Sequence, residues 1–230
     1  MELTADQWAA VYLSLKVSAW AVAVSLPFGL LCAWALARCR FAGHGLLNAV
    51  VHLPLILPPV VTGYGLLLLF GRKGVFGAAL ESIGIVLAFR WTGAVLAAAI
   101  MAFPLMVRAM RLGLEAVDPK VEEAARTLGA PPWAVFATVT LPLILPGVVT
   151  GAILAFAKAL GEFGATITFV SNIPRQTQTL PAAIYTMLQQ PDGDAAAGRL
   201  VLISVALAFA ALGASELLSA RIARRIRGRG

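Results

Sequence analysis

Charge is scarce in this sequence. Asp, Glu, Lys and Arg make up 13% of its 230 residues, and 60% are hydrophobic. A soluble domain carries about 25% charged residues, so a chain this poor in charge has no polar shell with which to face water. Cysteine is nearly absent. Cys32 and Cys39 are too few for a disulfide scaffold, and their spacing matches no metal pattern. His44 and His52 have no partner His or Cys at ligand spacing, so they read as structural, and neither metal nor cofactor is expected. Paired carboxylates and a nucleophile triad are also missing, which argues against a membrane enzyme. The chain opens with Glu2 and Asp6 instead of the basic n-region of a signal peptide.

Apolar runs are abundant. Five are long enough to cross about 30 Å of hydrocarbon as helices: Val11 to Ala37, Leu47 to Phe70, Trp91 to Met110, Leu141 to Val170 and Leu200 to Ala220. Helices satisfy their own backbone in lipid, so the expected fold is an all-α, polytopic transmembrane bundle forming a single domain over 1–230. Val75 to Phe89 carries Glu81 and two glycines. It reads as a short interfacial helix, with part of a sixth span as the alternative.

The loop cations divide unevenly. Arg38, Arg40, Arg108, Arg111, Lys120, Arg126 and the tail arginines at 221, 224, 225, 227 and 229 fall on one side. Arg72, Lys73, Arg90, Arg175 and Arg199 fall on the other. The positive-inside rule makes the first side cytoplasmic, with the N-terminus outside and the C-terminus inside. The basic tail 221–230 then reads as an anchor to anionic lipid, not as a nucleic-acid site.

The segment between the third and fourth runs, about 118–142, is DPKVEEAARTLGAPPWAVFATVTLP. Asp118 is a good N-cap and Pro119 suits the first helical position. Gly129 supplies a left-handed helix end. Pro131 or Pro132 can start a second short helix carrying Trp133 and Phe136. Two short helices joined at a glycine form a projection. Ala124 and Ala125 offer a close-approach face, Trp133 an anchor, and Glu122, Glu123 and Arg126 polar register. An ordinary amphipathic loop is the other reading of these residues.

Glu123-Ala124-Ala125, Gly129, Val139 and Leu141-Pro142 reproduce the pattern E-A-A-x₃-G-x₉-I-x-L-P, with Val for Ile. This resembles the coupling loop of binding-protein-dependent ABC importer permeases. The chain contains no G-x-x-x-x-G-K-[ST] phosphate loop. The resemblance therefore implies a separate ATPase subunit in two copies, a periplasmic or lipid-anchored binding protein, and a homodimer of this chain around one pore in the inner membrane. Gly161 to Ala165, GEFGA, and the stretch Ser171 to Tyr185 resemble the oxyanion branch, molybdate most closely. Ser171 and Arg175 stand where that group has glycines, and sulfate permeases share GEFGA. The resemblance thus implies import of a tetrahedral oxyanion, molybdate or tungstate, with sulfate or thiosulfate as the alternative. A secondary transporter or channel without an ATPase is the rival from another class.

An eleven-residue echo remains. Leu53 to Gly63 is LPLILPPVVTG and Leu141 to Gly151 is LPLILPGVVTG. Prolines free backbone carbonyls inside a span, and matching interruptions point to a transport path. Pro58, Pro59, Thr62, Pro146 and Thr150 are therefore candidate pore-lining residues. Lys158 and Glu162 are four residues apart in the fourth run. They read either as a pore pair tuning the field for an anion or as a self-neutralising contact on one helical face.

Overall fold

The structure, a computed structural model, describes residues 3–227. Among these residues every regular element is helical. α1, Ala5–Arg38, begins in a capping box in which Thr4 and Gln7 satisfy each other's backbone N–H groups. Its 34 residues extend about 51 Å at ~1.5 Å per residue, more than the hydrocarbon thickness. α5, Trp91–Glu115, is the central helix, rich in small buried residues such as Ala94, Ala97, Ala98 and Ala102. These let α1 and α8, Leu141–Leu160, approach it closely, and α5 packs most extensively on those two. At the α5–α8 crossing, a Cβ placed on Gly147 would lie 3.1 Å from the Cα of Gly113. Among the described residues, four helices are long and apolar enough to span, or five if one bent pair counts as a span.

That bent pair corrects the second run. Leu47 to Phe70 is not one helix. It splits into α2, His44–Ile56, and α3, Pro59–Phe70, which meet at 114°. Pro59 prevents Pro58 from turning helical, and Pro58 sits at φ −55°, ψ 134°. The fourth run is also interrupted. α8 ends at Leu160, and α9, Gly164–Val170, begins after a three-residue break. The expected second short helix is not separate either. α7, Pro132–Val135, passes through a π-helical turn at Phe136–Thr140 into α8.

The segment after Phe70 forms α4, Val75–Ser82, whose eight residues are too short to span. A helix absent from the sequence reading, α10, Leu180–Leu188, packs Leu180 and Ala183 against Val11 and Leu200. The last helix, α11, runs Asp194–Arg227, longer than the apolar run Leu200 to Ala220. The basic tail lies largely among residues whose side chains fall outside those described. His44 and His52 each bond a backbone carbonyl, of Leu36 and Asn48.

Candidate functional site

Two regions collect the residues singled out above. The first is the projection after α5. Asp118 accepts a hydrogen bond from the backbone N–H of Lys120 at 3.0 Å and starts α6, Pro119–Thr127. Gly129 ends it at φ +87°, a left-handed conformation that a Cβ strains. Nothing lies within 4 Å of where that Cβ would stand. α6 buries none of its residues. Glu123 and Ala124 are exposed and Ala125 is half-buried. Leu128 is 89% and Trp133 74% exposed. Apolar side chains this open beside charged ones form the kind of patch that a partner surface covers.

Glu122 points the other way. Its Oε1 accepts from Arg38 Nη2 at 3.3 Å and from the Thr140 hydroxyl at 2.9 Å. The same Arg38 nitrogen also donates to the carbonyl of Val117, 3.2 Å away. One carboxylate thus ties α6 to the end of α1 and to the π-helical turn leading into α8. Glu122 and Thr140 also line a cavity of about 580 Å³ that lies between the projection and Leu30, Leu31 and Trp34 of α1. Sequence reasoning placed Glu122 in the projection but missed Arg38 and Thr140 as its partners. They lie 84 and 18 residues away, and no local pattern joins them. Pro142 occupies the first turn of α8, beyond the π-helical turn.

The second region is where the two interrupted segments meet. A Cβ on Gly63 would lie 2.5 Å from the carbonyl oxygen of Ala165, and one on Gly164 would lie 2.7 Å from Pro59 Cβ. α3 and α9 therefore touch backbone to backbone, each just after its own break. Pro58 and Pro59 are exposed and Thr62 is half-buried. Glu162 lies in the second break and is 2% exposed. Its Oε2 accepts from Lys158 Nζ at 2.8 Å, and its Oε1 accepts from the N–H of Ala165 at 3.1 Å. The two charges form the self-neutralising pair that their spacing offered, but not on one helical face. Lys158 lies in the last turn of α8, while Glu162 lies past the helix end and caps the start of α9. A buried carboxylate held by one ammonium and one backbone N–H is neutralised in place.

Pro146 and Thr150 lie elsewhere. Pro146 is twelve residues before Lys158, about 18 Å along α8 at ~1.5 Å per residue. It adjoins Gly147, which meets α5. Thr150 is half-buried one turn further on. Pro58, Pro59, Thr62, Lys158 and Glu162 thus gather around the α3–α9 meeting point, and Pro146 and Thr150 lie further back along α8.

Residues 25–228 match the profile of the family described as binding-protein-dependent transport system inner membrane component. The chain is 61% identical over 230 residues to the molybdenum transport system permease protein of Escherichia coli, covering 100% of both chains. It is 51% identical to that of Haemophilus influenzae over 94% of this chain and 95% of the relative. It is also 37% identical to the sulfate transport system permease protein of Escherichia coli, over 98% of this chain and 82% of the relative. Among solved structures, a bacterial ABC transporter importing alginate matches with TM-score 0.74 at 18% identity, over 96% of this chain and 81% of that one. The inward-facing MetNI methionine ABC transporter matches with TM-score 0.69 at 16% identity, over 94% of each. Likenesses this distant in sequence bear on the fold alone.

Proposed function

Because this chain belongs to the family of binding-protein-dependent transport system inner membrane components, we propose that it is the membrane subunit of an ATP-driven molybdate importer. The observation that carries this reading is the 61% identity, end to end, with a molybdenum transport permease. Tungstate, of the same charge and shape, is expected to share the path.

In this reading α6 and the start of α7 dock on a cytoplasmic ATPase subunit, one per permease. Leu128 and Trp133 supply apolar contact, Ala124 close approach, and Glu123 polar register. Closure of two ATPases on ATP moves α6, and Glu122 passes that movement to α1 through Arg38 and to α8 through Thr140. Two copies of the chain enclose one pore, lined by the exposed faces beside the α3–α9 meeting point. Exposed Val60, Val61 and Tyr64 on α3 are available to the second copy. A binding protein delivers the oxyanion on the opposite side, where the N-terminus lies, and the C-terminus is cytoplasmic. Ion pairing leaves Glu162 as a structural pin at the break and not as a free charge facing an anion.

Sulfate is the second substrate reading, favoured by the 37% identity to a sulfate permease. Competition separates the two. Uptake of labelled molybdate by cells carrying this permease with its neighbouring binding protein and ATPase should resist a large excess of sulfate. Inhibition by equimolar sulfate would assign the importer to the sulfate branch.

A further inference from the structure

Away from α6 lies a second cavity, of about 750 Å³. Four cations line it: Lys16 from α1, Arg72 after α3, Arg90 before α5, and Arg175 after α9. Its described lining holds no carboxylate. On the orientation proposed above this is the outer side, where the positive-inside rule makes loop cations sparse. Three of the five outer loop cations nevertheless converge here, joined by a lysine from within a span. An ionisable residue within a span is costly and marks a functional position by default.

The cavity is shaped as well as charged. Lys16 Nζ stands 3.7 Å from the centroid of the Trp91 ring, so its position is fixed by a cation–π contact. Arg72 and Arg175 pair with Glu81 and Asp6, which are not lining residues, at 3.8 Å and 2.5 Å. Lys16 and Arg90 form no ion pair among the described residues. Two non-glycine lining residues, Phe89 and Arg175, sit at φ 59° and 60°. Such backbone is held only where its surroundings impose it. A cleft lined by one sign of charge focuses its field and concentrates the opposite ion, and Lys16 and Arg90 are the two lining cations whose charge no carboxylate offsets among the described residues.

We propose that this cavity binds a tetrahedral phosphate-type oxyanion. Two sources fit that chemistry: the headgroup of an anionic phospholipid in the outer leaflet, and a free oxyanion waiting outside the pore. Tyr12, 68% exposed, and Trp91 at the rim have the amphipathic rings found at headgroup depth. The inference rests on the proposed orientation for its sidedness, but not on molybdate as the cargo.

The test is thermal unfolding of the purified permease–ATPase complex in neutral detergent, without phosphate buffer. One arm adds phosphatidylglycerol against phosphatidylcholine, and the other adds molybdate or orthophosphate against chloride at equal ionic strength. A stabilising shift with phosphatidylglycerol alone identifies the lipid headgroup, and a shift with the free anions alone identifies the second source. In either case Lys16→Gln/Arg90→Gln should need about tenfold more ligand, as expected for lost charge-assisted contacts. Lys73→Gln, an outer cation away from the cavity, should respond as wild type. If the double variant does not assemble, Arg175→Gly replaces it, since its side chain is 65% exposed. No shift in either arm, or equal shifts in wild type and cavity variants, overturns the site. Because unfolding is read without transport, failure here leaves the importer reading standing.

Discussion

Pro59 and Gly147 occupy the same place in two otherwise identical eleven-residue stretches. The chain bends by 114° before Pro59 and continues as helix through Gly147. Single prolines are accommodated in these spans, and Leu141 before Pro142 keeps φ −59°, ψ −46°. The doubled proline is what breaks the helix, since Leu57 and Pro58 are both extended, at ψ 141° and 134°.

Pro59→Gly makes the two stretches identical and should let α2 run on into α3. Spin labels on α2 and α3 should report a larger and broader separation, and transport should fall because α3 no longer meets α9. An unchanged distance distribution would show that packing, not Pro-Pro, holds the bend. The reverse change, Gly147→Pro, should abolish assembly. It forces the preceding residue out of the helix and adds bulk where Gly113 is in contact.

Gly63→Val tests the α3–α9 contact directly. The new Cβ would stand 2.5 Å from the Ala165 carbonyl oxygen and 2.9 Å from Thr168 Cβ, too close for either backbone to yield cheaply. Overpacking of this kind costs about 1–3 kcal/mol or more. Thermal unfolding followed by size-exclusion chromatography should show a lower midpoint than wild type, whereas Gly65→Val, with open space around it, should cost little by comparison.

Glu122→Gln and Thr140→Val weaken the tie between α6 and the spans without touching the exposed docking face. The expected result is a complex that assembles and hydrolyses ATP but transports about tenfold less, a loss of ~1.4 kcal/mol in coupling. Glu123→Lys, on the exposed face, should instead weaken ATPase association on a sizing column. Parallel loss of assembly in all three would assign Glu122 to docking.

Gly129→Val should uncouple in the same way, through backbone strain alone, since the site has room for the side chain but φ is +87°. Gly129→Asn, which tolerates the left-handed region, should retain most transport. Equal uptake in wild type and Gly129→Val would remove the turn from the mechanism.

Ser171 and Arg175 carry φ of 66° and 60°, so the backbone at both keeps a conformation suited to the glycines their places resemble. Ser171→Gly should raise the unfolding midpoint by relieving strain of about 1–3 kcal/mol. A lower midpoint would mean that its side chain, and not its backbone, decides stability there.

Local chemistry was legible in the sequence, and long-range contact was not. Asp118, Pro119 and Gly129 announced α6 because caps and turn residues act within four positions. The apolar runs announced the bundle, but hydropathy is blind to breaks. Gly164–Val170 is as apolar as α8, so the interruption at Gly161–Phe163 disappeared into one run. The echo was visible, yet its two copies were read as alike, because the effect of Pro59 lies on the residue before it. The tie from Glu122 to Arg38 and the cavity shared by Lys16, Arg72, Arg90 and Arg175 join residues brought together only by the fold.

The central claim is ATP-driven import through this chain. The most direct measurement is molybdate accumulation in proteoliposomes holding the permease and its ATPase, with the binding protein on the opposite face. Accumulation that requires both ATP and the binding protein, and that falls about tenfold in Glu122→Gln while hydrolysis continues, is the predicted result. Uptake that proceeds without ATP, driven by the molybdate gradient alone, would contradict it.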